Sequence, residues 1–179
     1  ALNTVYFQID ESNKAPRRTL EMISELLRYQ LYGGNQKVSI LQEIDYLKTY
    51  IALRKLRMSE RLRLRVEFPP ELNELNIYPL LFLPLVENAF KYVGGDYQLD
   101  IIMKWENNRI SLFIRNSIPE LSAEDEALRK SVDERQRKGI GLVNLRRRLS
   151  LLYPSKHRLE TRKEETEFVA ELMIEIEEI

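Results

Sequence analysis

The chain has 179 residues, with 28 Lys and Arg balanced by 28 Asp and Glu, and it contains no Cys. This length suits one ordinary domain with a helical extension. Zero net charge gives no general attraction to nucleic acid or to an acidic membrane surface, and the lack of Cys excludes disulfides and thiolate sites. The longest apolar run, from Leu80 to Val86, contains Pro84 and is far shorter than the ~20 residues of a membrane helix.

Residues 1–58 have helical periodicity. The pattern starts at Leu2 without a capping residue before it, so we expect the sequence to begin inside a longer protein. A second helix is predicted from about Ala15 to the breaker at residues 33–35, and a third follows Ser39 and Gln42, which form a capping box. Such a helical hairpin buries little surface alone, so we expect it to pair with a second copy in a four-helix bundle, as a dimerisation segment.

Residues 59–179 are predicted to form a second domain of class α+β, because the residue pattern alternates between strand and helix periods. Residues 117–138 are polar and highly charged, which is typical of a long mobile loop. The other predicted elements are strands at 62–68, 99–105, 110–115 and 168–176 and helices at 79–93 and 141–152.

Three polar side chains interrupt the apolar helix predicted at 79–93. Glu87, Asn88 and Lys91 are spaced by three and four residues, which places them on one stripe. An amide oxygen is a suitable ligand for Mg²⁺, an ammonium group can bind phosphate, and a carboxylate can act as a base. The alternative is a solvated helix face with a Glu–Lys pair.

A second candidate site is the segment Gly139-Ile140-Gly141-Leu142, which opens a helix. Glycines allow a ligand to approach the backbone closely, and a helix N-terminus presents free N–H groups to phosphate. Alone, this motif is weak, and a flexible helix entry would be the better interpretation.

Together, the two motifs resemble those of the GHKL ATPases. Residues 85–91 are similar to the N-box of that superfamily, and residues 139–146 to its second glycine box. More narrowly, the chain resembles the LytS/YehU-type sensor histidine kinases, with further similarity at residues 26–29, 50–53 and 151–154. The resemblance covers essentially the whole chain and implies a GHKL α/β sandwich in which helices cover one face of a mostly antiparallel sheet.

The resemblance also implies roles for the phosphate-binding residues. Asn88 would hold Mg²⁺, Glu87 would act as the base or orient the acceptor, and Lys91 would lie near phosphate. The segment that would cradle the phosphates of ATP comprises Gly139, Ile140, Gly141 and Leu142.

For the adenine base, the family uses an Asp followed by glycines. The matching position here is Asn116, whose carbonyl oxygen can still accept a hydrogen bond from the adenine amino group, although the glycines are missing. Thr166 matches a Thr that lines the adenine pocket, and residues 117–138 would be the lid over ATP.

The family phosphorylates its own His, in a motif that would lie just upstream of Ala1. The single His of this chain, His157, is predicted to lie in a surface loop and is not proposed as the acceptor. The fragment is therefore expected to bind nucleotide without phosphorylating itself.

The resemblance thus implies the ATP-binding region of a two-component sensor histidine kinase. Such an enzyme transfers the γ-phosphoryl group of ATP to a His and then to an Asp of a response regulator. The implied partners are a second copy and a response regulator, with no nucleic acid. The implied location is the cytoplasmic side of a membrane-anchored sensor, with membrane contact only through upstream segments. The alternative is a catalytically inactive scaffold or regulatory dimer module. An ATP-driven clamp is less consistent with a chain of this length.

Overall fold

The computed structural model describes residues 2–32, 36–70, 72, 75–120 and 140–176. The chain divides into two compact units. The first, which we call the hairpin unit, comprises residues 1–59 and 76–80, and the second, the sheet unit, comprises residues 60–75 and 81–179. In chain order the elements are α1 Leu2–Gln8, α2 Lys14–Tyr32, β1 Val38–Ser39, α3 Ile40–Lys55, β2 Arg63–Glu67, β3 Asn76–Ile77, α4 Leu83–Tyr92, β4 Gln98–Glu106, β5 Arg109–Ser117, α5 Ile140–Leu152, β6 His157–Lys163 and β7 Glu167–Glu175.

The hairpin unit is built on the packing of α2 against α3, with the short strands β1 and β3 paired antiparallel. The capping box predicted at the start of α3 is confirmed. The Ser39 side chain accepts a hydrogen bond from the helix backbone, and the Gln42 side chain accepts one from the Ser39 N–H. The buried face of α3 carries Ile40, Ile44, Leu47 and Ile51.

A buried carboxylate connects distant parts of the hairpin unit. Glu43 is fully buried, and its Oε2 accepts hydrogen bonds from the Tyr29 hydroxyl at 2.6 Å and from the Leu80 N–H at 2.9 Å. The Tyr29 ring stacks on Tyr46 with 4.6 Å between ring centroids. Burial, together with the adjacent Glu43 carboxylate, raises the pKa of Tyr29.

The sheet unit contains a five-stranded sheet in the order β2-β4-β5-β7-β6. β2 is parallel to β4, and all other neighbours are antiparallel, so the predicted α+β class with a mostly antiparallel sheet is confirmed. Asn116 lies at one end of this sheet, opposite Leu99 on β4 and Phe168 on β7.

One face of the sheet is apolar and covered by helices. α4 packs against β4 and β5, while α5 packs against α4 and β6. On the other face, Arg158, Glu160 and Lys104 are exposed. The core beneath the helices includes Leu99, Ile101, Met103, Ile110, Leu112, Ile114, Ala170, Leu172 and Ile174.

The helix predicted at 79–93 is shorter in the structure, where α4 spans Leu83–Tyr92. Leu80 adopts a left-handed backbone conformation with φ 59°, which a right-handed helix does not accommodate. Pro84 then occupies the first helical turn, where its missing N–H costs least. Within the described ranges, none of the helices has the length and apolar character needed to cross a bilayer.

Candidate functional site

The polar stripe predicted on α4 lies at the surface of an otherwise buried helix. Glu87 and Lys91 are exposed and Asn88 is half-buried. The Lys91 ammonium lies 5.1 Å from the centroid of the Tyr92 ring. The intervening and preceding apolar residues of α4 are buried: Leu85, Val86, Ala89 and Phe90. The stripe is therefore accessible to a ligand while its backbone is held by the core.

Asn116 at the end of β5 has a buried side chain with an unused hydrogen-bond acceptor. Its side chain is only 1% exposed, and its Nδ2 donates to the Ser117 carbonyl at 3.3 Å. Its Oδ1 is buried and accepts no hydrogen bond from any residue that the structure describes. Because an unsatisfied buried acceptor costs roughly 1–3 kcal/mol, a donor supplied by a ligand would relieve a real penalty at this position.

Ser117 connects this end of β5 to the segment that follows α4. The Ser117 hydroxyl donates to the Gly94 carbonyl at 2.6 Å, and the Gly94 N–H donates to the Ser117 carbonyl at 3.0 Å. The same hydroxyl accepts from the Gln98 N–H at 2.9 Å. Ser117, predicted to lie in a mobile loop, is instead the last residue of β5 and is 7% exposed. The apolar alternation that predicts this strand stops after Ile114, so the sequence pattern gives no signal for its last residues.

Thr166 lies near the same end of the sheet. It is exposed, and its backbone carbonyl accepts from the Ile118 N–H at 2.8 Å. Since Ile118 follows Asn116 by two residues, and Gly94 follows Lys91 by three, the structure brings the C-terminal end of α4, Asn116 and Thr166 to one end of the sheet unit.

The glycine motif contributes Gly141, in the first turn of α5. Gly141 is exposed, and a Cβ built on it would have no atom within 4 Å, so packing within the fold does not require glycine here. Ile140 begins the helix and Leu142 is half-buried. Gly139 and residues 121–138 of the predicted lid lie outside the described residues.

A divalent cation would have few protein ligands at this site. In the part of the chain that the structure describes, no three His, Asp or Glu side chains converge on a possible metal position. The role of Asn88 as a Mg²⁺ ligand stays a prediction, as do the individual nucleotide contacts. His157, predicted to lie in a surface loop, instead starts β6 half-buried, with its Nδ1 2.7 Å from the Tyr153 carbonyl oxygen.

Comparison with known proteins gives three kinds of similarity. A histidine kinase family model matches residues 1–62. The sensor protein kinase HptS of Staphylococcus aureus is 27% identical over 163 residues, which is 88% of this chain and 32% of that protein. The chain thus spans about a third of the length of the curated relatives it matches.

Among solved structures, a mycobacterial sensor histidine kinase, MprB, superposes with a TM-score of 0.51 at 13% identity, covering 81% of this chain and 99% of that chain. A bacterial phosphotransferase also superposes with a TM-score of 0.51, at 9% identity, covering 89% of this chain and 75% of that chain. These likenesses show the fold.

The sheet unit therefore has the fold of these kinase structures, with helices on one face of a mostly antiparallel sheet. With the family match over residues 1–62 and the 27% identity to HptS, the chain is similar to the sensor histidine kinases, which confirms the resemblance stated from the sequence.

Proposed function

We propose that this chain is the ATP-binding catalytic region of a protein histidine kinase. The observation that supports the proposal most directly is the buried Oδ1 of Asn116, which lacks a donor among the described residues. The 6-amino group of adenine is a donor of the right kind, so the residues present fit an adenine nucleotide. An amide is a weaker acceptor than the family's carboxylate, but the orientation of its oxygen is fixed.

The stripe on α4 would act on the phosphates. Lys91 is exposed and would neutralise phosphate charge, and Glu87 would orient or deprotonate the acceptor. Asn88 would hold Mg²⁺, which when bound stabilises the charge on the transferring phosphoryl group. The exposed Gly141 leaves the first turn of α5 open to phosphate, and the other predicted contributors are Gly139, Ile140 and Leu142.

The phosphoacceptor would be a His outside this sequence. The relatives are about three times longer than the region they share with this chain, which leaves room for further segments. His157 is poorly suited because it is half-buried at the start of β6, against the Tyr153 carbonyl. The phosphoryl group would then pass to an Asp of a response regulator.

The hairpin unit would form the dimer. Four large apolar side chains of α1 and α2 are exposed, by 44% to 80%: Val5, Phe7, Leu27 and Leu31. Exposed apolar side chains on a helical hairpin favour burial against a second copy. As part of a sensor protein, the chain would function at the cytoplasmic side of a membrane and reach the membrane only through other segments.

The alternative is an inactive scaffold, and one observation favours it. Ile118 and Pro119 stand where the family has glycines, and Ile118 is only 7% exposed. Side chains at these positions would reduce the space for a nucleotide, and the function of the chain would then be dimerisation through the hairpin unit.

Calorimetry with a non-hydrolysable ATP analogue, with and without Mg²⁺, distinguishes these proposals. We expect the unmodified chain to bind the analogue in a Mg²⁺-dependent way. Asn88→Ala should make binding independent of Mg²⁺, and Lys91→Ala should weaken binding by about 10-fold or more. Lys104→Ala is the matched control, because Lys104 is an exposed lysine on the opposite face of the sheet. If the unmodified chain binds no nucleotide, the scaffold becomes the better proposal.

A further inference from the structure

The amide of Asn116 has a defined direction. Its buried neighbour, the Ser117 carbonyl, can only accept, so the side-chain atom that faces it at 3.3 Å must be the NH₂ group. The carbonyl oxygen Oδ1 is then the atom turned away from Ser117, at a position where it accepts no hydrogen bond from the described residues. With the opposite orientation, the same side chain would present a donor there.

The direction of the amide depends on where the Ser117 carbonyl lies, and two hydrogen bonds fix that residue. The Ser117 hydroxyl donates to the Gly94 carbonyl at 2.6 Å, and the Gly94 N–H returns a bond to the Ser117 carbonyl at 3.0 Å. We call this reciprocal pair the Gly94–Ser117 clasp. A third bond, from the Gln98 N–H to the Ser117 hydroxyl at 2.9 Å, attaches the clasp to the start of β4.

The two glycines after α4 allow this close approach. A Cβ on Gly94 would lie 2.9 Å from Cδ of Pro119. Gly95 has φ +59°, and a Cβ there would lie 3.0 Å from the Ile118 carbonyl oxygen. Any side chain at these two positions would push the loop away from the residues that follow Asn116.

We propose that the Gly94–Ser117 clasp is a positioning element that makes the nucleotide site selective for 6-amino over 6-oxo purines. The inference rests on the proposed function. A 6-amino group donates to Oδ1, whereas a 6-oxo group would bring a second acceptor against it and leave both unsatisfied. Ser117 and Gly94 would thus set base selectivity without touching the base. The clasp also ties the exit of α4, which carries Lys91, to the base-binding end of β5.

The test compares Mg²⁺ complexes of the β,γ-imido analogues of ATP and ITP, which differ at purine position 6, by calorimetry on the full chain. We expect the unmodified chain to bind the ATP analogue roughly 10- to 100-fold more tightly, the ratio that one unsatisfied buried group produces. Ser117→Ala should reduce this ratio to below about 5-fold, because the hydroxyl half of the clasp is lost and only the Gly94 N–H still holds the carbonyl that orients the amide. Ser117→Thr keeps the hydroxyl and should keep the ratio. The matched control is Ser111→Ala, on the same strand but at half-buried Ser111, distant from Asn116.

A double-variant cycle separates positioning from general stabilisation. In Asn116→Asp the acceptor is a carboxylate with two equivalent oxygens, so its orientation no longer needs to be set. Adding Ser117→Ala to Asn116→Asp should therefore leave the ATP:ITP ratio unchanged, while it lowers the ratio in the Asn116 background. If Ser117→Ala does not fold, the near-isosteric Ser117→Cys, a weak hydrogen-bonding group, gives the same comparison.

The outcomes distinguish the two proposals. If the unmodified chain binds both analogues equally, the role of the clasp is overturned but the nucleotide site is preserved. The same holds if Ser117→Ala weakens binding of both analogues and leaves the ATP:ITP affinity ratio unchanged. Binding of neither analogue overturns the proposed function together with the clasp.

Discussion

Each unit of the molecule buries a polar side chain almost completely, and the two side chains differ in the hydrogen bonds that they accept. Glu43 in the hairpin unit is 0% exposed, and its Oε2 accepts two hydrogen bonds, from Tyr29 and Leu80, whereas its Oε1 accepts none within the described residues. Asn116 in the sheet unit is 1% exposed, and within the described residues its oxygen accepts none.

This difference in accepted hydrogen bonds suggests a different role for each residue. A buried polar group that receives donors from two distant segments holds those segments together and is part of the architecture. A side chain whose only acceptor has no donor makes the fold less stable, and under the proposed function a ligand would supply that donor. We therefore expect a structural role for Glu43 and, under the proposed function, a binding role for Asn116, and the two roles make different predictions for stability.

The largest effect is expected for Glu43→Ala. The substitution leaves the Tyr29 hydroxyl and the Leu80 N–H without their acceptor and creates a cavity, so we expect the hairpin unit to lose about 3 kcal/mol of stability. Urea unfolding followed by circular dichroism measures this loss. The control is Asp45→Ala, because Asp45 is 69% exposed and its ion pair with Lys48 is long, at 3.6 Å. That control should change stability by less than about 0.5 kcal/mol. An unchanged unfolding midpoint in Glu43→Ala would contradict the structural role proposed for Glu43.

Local signals made part of this architecture predictable. The capping box at Ser39 and Gln42 depends on residues three apart, and strand alternation depends on residues that are close in the sequence. Both predictions are confirmed. The polar stripe of Glu87, Asn88 and Lys91 also follows from helical spacing alone.

The missed features depend on contacts between distant residues. Glu43 bonds to residues 14 and 37 positions away, so its burial has no local signature. The left-handed Leu80, which delays α4, is likewise not a preference of leucine. Ser117 belongs to β5 because it pairs with Glu167, 50 positions along the chain, and the apolar alternation, which stops after Ile114, does not predict that pairing. The role of Asn116 as hydrogen-bond acceptor for adenine is predicted only by the family resemblance.

A smaller effect, of opposite sign, is expected for Asn116→Leu. The substitution replaces an unsatisfied acceptor by an apolar side chain of similar size, so we expect the sheet unit to gain about 1 kcal/mol while the ATP analogue no longer binds. Thermal unfolding and calorimetry on the same sample measure the two quantities. Asn144→Leu, at an exposed position of α5, should shift stability by less than about 0.5 kcal/mol and controls for added hydrophobicity. Destabilisation of Asn116→Leu by 2 kcal/mol or more would place Asn116 with Glu43 as an architectural residue.

The smallest effect sharpens the comparison by separating stability from binding within the sheet unit. Asn107 and Asn108 form the turn between β4 and β5 with φ 52° and 58°, a conformation that glycine adopts without steric cost. Asn108→Gly should therefore stabilise the sheet unit by about 0.5 kcal/mol, whereas Asn108→Ala should destabilise it by about 1 kcal/mol. Urea unfolding measures both changes. The turn precedes β5 at Arg109, and Asn116 lies near the other end of that strand, so affinity for the ATP analogue should be the same in both variants. If affinity instead followed stability, the loss of binding in Asn116→Leu could no longer be attributed to the missing acceptor alone.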